Sequence, residues 1–294
     1  MPELPEVETI RLGLAPVLEG RRIVRVEQRR RDLRFPLPDR FVERLTGRRI
    51  ERLERRAKYI LIHLDGDEVL AVHLGMTGRF SVSARGKRAR ECATFRYPQR
   101  GGAKHDHLVF FISGGAVVTY NDARRFGYMT LIAGPDLTHN PYLRGLGVEP
   151  LSADLNAAYL ARRAHGKRAD VKALLMDQRI IAGIGNIYAC EALFRAGIDP
   201  CKPAARLATK SEAPTPLAGR LVAAVQAVLK QAIGAGGSTL RDYQQADGRV
   251  GNFQSQFQIY GREGEPCLRP SCRGTVRRKT QGGRSTFYCP VCQR

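Results

Sequence analysis

No stretch of the sequence approaches the roughly 20 consecutive apolar residues that cross a bilayer, and no basic amphipathic helix stands out, so a membrane is not the expected partner. The N-terminus, MPELPEVET, lacks the basic-then-apolar order of a secretory leader. The mature protein is therefore expected to begin near residue 1 and to stay inside the cell. Internal repeats and long low-complexity tracts are also missing. Acidic residues are scarce: 28 Asp and Glu face 49 Lys and Arg, a formal charge of +21. That excess exceeds what an ordinary soluble enzyme of this size needs and calls for an anionic partner, for which nucleic acid is the best match. Nor do the seven cysteines form a disulfide framework, because four lie in the last 28 residues and Cys92, Cys190 and Cys201 are scattered. That is the pattern of a metal site with three packing residues left over.

At 294 residues, two domains are more natural than one. The first half opens with a short capped helix near Pro5, followed by the β-rich stretches RIVRV, KYILIHL, EVLAVHLG and HLVFFISGGAVVTYND. The last of these holds two apolar runs joined by Ser113-Gly114-Gly115, a hairpin signal, and a β-sandwich is the natural packing for such strands. Residues 83–107 are basic, glycine-containing and weakly periodic, which predicts an exposed loop. Gly, Pro and Asn then concentrate, and beyond them LNAAYLARRA, VKALLMDQ, IYACEALFRAG and LAGRLVAAVQAVLKQAIGAGG carry apolar residues at helical spacing. The expected class is thus α+β and multi-domain: a sandwich over 1–134, a linker over 135–150, a helical domain over 151–260 and a cysteine-rich unit over 261–294.

Cys267, Cys272, Cys289 and Cys292 form a C-x4-C, C-x2-C array whose pairs are separated by a segment long enough for a β-hairpin. Four thiolates can close a tetrahedral zinc site and so supply the folding energy that so short a segment lacks. Disulfides or an iron–sulfur cluster are the other uses of such a set. A four-cysteine site leaves no open position for water, so the metal is expected to be structural. Arg273, Arg277, Arg278, Lys279 and Arg284 lie between the pairs, and a metal-pinned hairpin would hold them where they can address phosphates.

The start of the chain offers chemistry as well as a helix cap. Pro5 suits a first helical turn, and Glu6 and Glu8 complement its dipole, but neither accounts for Pro2. A small second residue permits removal of Met1, exposing a secondary amine that is partly neutral near pH 7. Such amines attack carbonyl-like carbons, and neighbouring carboxylates can move the protons.

PELPEVET at the start, YNDARRFG at 120–127, LMDQRIIAGIGNIYACE at 175–191 and FQIYGREGEPC with the cysteine tail together resemble the bacterial formamidopyrimidine-DNA glycosylases, also called 8-oxoguanine DNA glycosylases. The resemblance runs from end to end and in order. It implies an N-terminal β-sandwich, a helix-two-turns-helix domain and a zinc β-hairpin. It also implies base excision with strand cutting by β,δ-elimination, in which Pro2 attacks C1′ of the damaged nucleotide, Glu3 is the acid/base beside it and Glu6 is a further active-site carboxylate. Lys58, in RRAKYILIHL, matches the family lysine at the phosphate beside the lesion. Asn186, which could equally cap its helix, matches a phosphate-binding asparagine, and Arg284 and Tyr260 match further backbone contacts. Met76, Arg124 and Phe126 match the trio that fills the hole left by the flipped nucleotide, with Arg124 placed to donate to the orphaned cytosine. His73, three residues before Met76, is expected near the backbone too. The segment 236–256, Gly-rich and polar, is expected to be the lesion-recognition loop.

Two departures accompany the match. The first cysteine pair is C-x4-C where the family usually has C-x2-C, and ARRFG replaces the common PRRFG. The related pyrimidine-directed endonuclease VIII branch usually begins PEGPE rather than PELPE, and a non-catalytic zinc-containing DNA binder would fit charge and cysteines equally; only the N-terminus separates it. The resemblance further implies damaged double-stranded DNA as partner, no nucleotide cofactor, a monomer and a cytoplasmic, nucleoid-associated location.

Overall fold

Leu4–Leu18 forms the helix α1 because Val7, Ile10, Leu14 and Leu18 recur at helical spacing and all four are buried, while Glu3 and Glu6 make a capping box at its start. The structure is a computed structural model and describes residues 2–84, 90–91, 93–94, 102–238, 244–245 and 253–294. The chain folds as two compact units, one of residues 1–144 with 233–254, the other of 145–232 with 255–294.

The first unit is a β-sandwich. Its strands are β1 (Ile23–Gln28), β2 (Ile50–Arg56), β3 (Tyr59–Leu64), β4 (Glu68–His73), β5 (Arg79–Ala84), β6 (Arg90–Glu91), β7 (Ala93–Thr94), β8 (Asp106–Ile112), β9 (Ala116–Asn121) and β10 (Tyr128–Ala133), with a short helix α2 (Phe41–Leu45) after β1. One sheet has the order β1-β8-β9-β5-β6, the other β10-β4-β3-β2. The core contains Ile23, Phe110, Val118 and Phe80 from the first sheet with Ile50, Ile62, Leu70 and Met129 from the second, and the apolar face of α1 joins it. The expected hairpin is present: β8 pairs antiparallel with β9, and Gly114 and Gly115, at φ 90° and 87°, supply the left-handed turn. Within 83–107, expected as an exposed loop, the backbone of β6 extends the first sheet and β7 pairs with β11 (Gln244–Gln245). The rest of 85–101 and most of the loop expected over 236–256 lie outside the described residues. The ends of the latter meet, since Phe253 N donates to Gly237 O at 3.3 Å.

The second unit is helical with a terminal hairpin. Its helices are α3 (Ala157–Ala164), α4 (Val171–Met176), α5 (Asn186–Ala196) and most of α6 (Pro216–Gly234). Asn156 and Asp170 cap α3 and α4 by accepting from Tyr159 N and Ala173 N, and Gly197, at φ 69°, ends α5 in the left-handed conformation. β12 (Arg277–Gln281) and β13 (Arg284–Tyr288) form the hairpin, joined by Gly282 and Gly283 with φ 53° and 72°.

Candidate active site

Pro2 is buried immediately ahead of α1, and Glu3 and Glu6 are 3% and 4% exposed. Glu6 is engaged at both oxygens: Oε2 accepts from Glu3 N at 2.8 Å, and Oε1 accepts from Ser238 N at 2.8 Å and Ser238 Oγ at 2.9 Å. Gly237 lies against the same carboxylate, where a Cβ would stand 3.3 Å from Oε1. The carboxylate therefore ties the helix start to the first residues after α6 within one unit.

Lys58 stands in the two-residue turn between β2 and β3, after Ala57 at φ 54°, and is 7% exposed. The next residue, Tyr59, is paired with His73 across β3 and β4, and Tyr128 pairs with His73 from the other side. The His73 ring is stacked on Tyr128 at 5.1 Å and lies 5.0 Å from Tyr59, and its Nδ1 accepts from Gly75 N at 3.1 Å. Burial, followed by the positive charges of Lys58 and Arg34, pulls its pKa down to about 4, so the ring is neutral near pH 7. With Nδ1 accepting, the proton of the neutral ring is on Nε2.

Met76 and Phe126 are exposed, at 37% and 41%, rather than core residues. Met76 lies in the turn between β4 and β5, and Arg124 and Phe126 lie in the loop between β9 and β10. The Arg124 guanidinium sits 4.6 Å over the Phe126 ring.

In the second unit, Asn186 is the first residue of α5 and Gly185 is the cap, so the capping role open to Asn186 from its sequence position is not the one it fills. Its Nδ2 instead donates to Ser285 O at 2.9 Å and to Tyr260 Oη at 3.4 Å. Lys172, 2% exposed, donates to Thr286 Oγ1 at 2.6 Å and Ser285 O at 3.3 Å, so α4 and α5 both hold the strand that begins at Arg284. Glu191, fully buried, accepts from the backbone N–H groups of Gln258, Ile259 and Tyr260 at 3.1, 3.0 and 2.9 Å. Burial raises its pKa and those three donors oppose the rise.

The sulfurs of Cys267, Cys272, Cys289 and Cys292 lie within 4.8 Å of one another, with Cys267–Cys292 and Cys272–Cys289 each at 3.7 Å. Zinc–sulfur bonds of about 2.3 Å imply a tetrahedron edge of about 3.8 Å, so the set fits zinc. Gly274 is required by this packing, since a Cβ there would lie 2.6 Å from Cys289 Sγ. The longer first knuckle also has a use: Arg269 donates to Phe194 O and, at 3.4 Å, to Arg195 O, the final carbonyls of α5.

Comparison with known proteins agrees across the chain. Residues 1–129 match the formamidopyrimidine-DNA glycosylase N-terminal domain, 146–244 its H2TH domain and 264–294 a zinc finger found in FPG and IleRS. A formamidopyrimidine-DNA glycosylase of Phenylobacterium zucineum is 56% identical over 294 residues, and one of Chelativorans sp. is 54% identical over 298, each covering 100% of both chains. The chain belongs to the formamidopyrimidine-DNA glycosylase family. Among solved structures, the MutM (Fpg) protein of Thermus thermophilus superposes with a TM-score of 0.79 at 39% identity, covering 99% of this chain and 98% of that one. The Lactococcus lactis Fpg in complex with abasic-site DNA superposes at 0.82 with 31% identity and 99% coverage of both.

Like the rest of the formamidopyrimidine-DNA glycosylase family, this protein is a DNA glycosylase of base excision repair, and its four cysteines hold a structural zinc. The first unit carries Pro2, Glu3, Glu6, Lys58, His73, Met76, Arg124 and Phe126; the second carries Asn186, Tyr260, Arg284 and the cysteines. Reading the sequence missed Ser238, Lys172, Glu191 and Arg269. For two of these a signal existed, since a lone Lys in VKALLM and a lone Glu in IYACEALF are charges within apolar helical runs.

Proposed function

We propose that this enzyme removes oxidised purines, 8-oxoguanine and formamidopyrimidines, from duplex DNA and then cuts the abasic strand. After loss of Met1, the Pro2 nitrogen attacks C1′ of the extruded nucleotide, and the base departs with the C1′–N bond electrons and takes up a proton. Once the Pro2 nitrogen has lost its proton, the C1′–O4′ bond opens, O4′ takes a proton, and the nitrogen lone pair forms the iminium link. Glu3, buried beside Pro2, moves protons during ring opening and elimination. Successive loss of the 3′ and 5′ phosphates by β- and δ-elimination then removes the sugar. Glu6 acts through position, since both of its oxygens are engaged in holding Glu3 N and Ser238.

Lys58, Asn186, Tyr260 and Arg284 hold phosphates, and His73 offers its Nε2–H as a neutral donor. Cys267, Cys272, Cys289 and Cys292 would hold a zinc ion that keeps the hairpin folded, and four thiolate ligands would leave it no open position for substrate. Met76, Arg124 and Phe126 fill the vacated position, with Arg124 donating to the orphaned cytosine. The observation that carries this reading is the burial of Pro2 against a helix start whose two carboxylates, Glu3 and Glu6, are fixed by a capping box. DNA is the partner, supported by the +21 charge and by the DNA-bound relatives; the enzyme works as a monomer in the bacterial cytoplasm, at the nucleoid.

The test is borohydride trapping on a duplex carrying 8-oxoguanine opposite cytosine, with protein confirmed to start at Pro2. An adduct mapped to Pro2, and lost in Pro2→Gly or on N-terminal extension, is expected. Tight binding without adduct or strand cutting would reject the purine assignment.

A further inference from the structure

The Asp122 carboxylate is completely buried, and among the described residues every group donating to it is neutral. Thr77 Oγ1 donates to Oδ1, while Gly127 N, at 2.8 Å, and Tyr120 OH, at 3.3 Å, donate to Oδ2. Thr77 belongs to the turn that presents Met76, and Gly127 follows Phe126, so one carboxylate binds the two loops. Thr77 then passes the connection on: its Oγ1, whose hydroxyl hydrogen is donated to Asp122, accepts from Arg124 N at 3.1 Å. The backbone of Asp122 is held as well, with its carbonyl accepting from His107 Nε2 at 2.8 Å and its N–H donating to His105 O at 3.1 Å.

We propose that Asp122 is a positioning residue for opposite-base recognition, acting through Thr77 to fix where Arg124 stands. A buried carboxylate with three neutral donors is costly to keep unless its geometry is needed. Here it replaces a restraint this chain lacks: the turn reads ARRFG, so Ala123 leaves φ before Arg124 free where a proline would fix it. The Asp122–Thr77–Arg124 chain supplies the constraint by hydrogen bonds instead. Arg125, at φ 55°, is held in the left-handed region in the same turn, its N–H donating to Asp122 O at 3.3 Å.

This inference rests on the reading that Arg124 addresses the orphaned base. The experiment is single-turnover excision of 8-oxoguanine opposite cytosine and opposite adenine by the full-length enzyme and by Thr77→Val, Thr77→Ser, Asp122→Asn and Arg124→Ala, with the melting temperature of each. Thr77→Val is expected to lower the cytosine-over-adenine ratio by about tenfold, the effect of misplacing one hydrogen-bonding group. Thr77→Ser, which keeps the hydroxyl, should restore the ratio to within about twofold, and Asp122→Asn should behave as Thr77→Val. A merely structural role would lower both rates together and leave the ratio alone. If Arg124→Ala collapses the ratio while Thr77→Val and Asp122→Asn leave it at the wild-type value, the coupling is wrong. If Arg124→Ala leaves it unchanged, the reading of Arg124 falls and the inference falls with it. Should Asp122→Asn fail to fold, the Thr77→Val and Thr77→Ser pair decides.

Discussion

Gly75 and Phe126 meet backbone to backbone: a Cβ on Gly75 would stand 2.2 Å from the Phe126 carbonyl carbon and 2.3 Å from Gly127 N. Gly75 also has φ 62°, where a side chain is strained even in open space. The turn bearing Met76 and the loop bearing Phe126 are therefore in direct contact, and the absence of one side chain permits it. Gly75→Ala must separate them, at a cost on the order of 3 kcal/mol. Urea denaturation should report that loss together with weakened binding to lesion-containing duplex. A variant within about 1 kcal/mol of wild type would show that the close approach is not needed.

Glu6 offers a graded test of its engaged carboxylate. Glu6→Gln keeps the shape but replaces one acceptor oxygen with an NH2 group, leaving either Glu3 N or the Ser238 donors unmatched, for a loss of roughly 1–3 kcal/mol. Ser238→Ala removes only the hydroxyl hydrogen bond and keeps Ser238 N on Oε1, so it should cost at most about 1 kcal/mol. Thermal denaturation should rank the two in that order; the reverse order would mean that Glu6 carries little of the link to Ser238.

Much of this was legible in the sequence, and what was not has identifiable causes. The zinc cysteines, the capped first helix, the β8–β9 hairpin and the helical second half all follow from spacing and turn residues. The strand β2 does not: in IERLERR only Ile50 and Leu53 are buried, because a bulge between Ile50 and Arg52 shifts the alternation out of period two. β1 carries the same irregularity between Ile23 and Arg25. β10 was missed for another reason, since its adjacent Tyr128 and Met129 are both buried. At the site, the motif YNDARRFG drew attention to Arg124 and Phe126, but nothing in it singles out Asp122. Its role depends on complete burial and on Thr77, 45 positions away in the chain, and no local pattern records either.

Glu191 should be among the least replaceable side chains of the second unit. Its carboxylate collects three consecutive backbone N–H groups of the segment ending at Tyr260. In Glu191→Gln the amide nitrogen faces donors it cannot accept from, for a loss of roughly 2–4 kcal/mol. Chemical denaturation checks the stability, and DNA affinity should fall with it because Tyr260 is held from this carboxylate. Stability within about 0.5 kcal/mol of wild type would show that the three N–H groups find other partners.

Zinc and Arg269 can be separated experimentally. Removing the metal should unfold the hairpin, because the four clustered sulfurs lose the ion that ties them together and keep only weak backbone contacts such as Arg269 N to Cys267 Sγ at 3.5 Å and Gly274 N to Cys272 Sγ at 3.4 Å. One zinc per chain should appear on titration with a mercurial and a colorimetric chelator. Arg269→Ala should leave that stoichiometry at one while costing about 1–2 kcal/mol, since it releases the last carbonyls of α5 without touching a sulfur. Loss of zinc in Arg269→Ala would instead mean that the extra residues of the first knuckle build the metal site itself.

The neutral His73 makes a prediction about acid. In the folded protein its pKa is about 4 against an ordinary 6.5, so between those values the unfolded chain binds a proton that the folded one excludes. Stability then rises with pH through that window: the contribution is complete above about pH 6.5 and is lost as pH falls towards 4. Its ceiling is roughly 3 kcal/mol, reduced by whatever solvent reaches the ring. His73→Asn removes the titration while offering an amide oxygen where Nδ1 accepts from Gly75 N. Urea denaturation of both proteins at pH 7, 6, 5 and 4.5 should show the wild type losing stability more steeply than the variant below pH 6.5. Parallel curves would mean that the ring charges without penalty, and His73 would then have to reach phosphate as a cation below neutrality rather than as the neutral Nε2–H donor proposed for it.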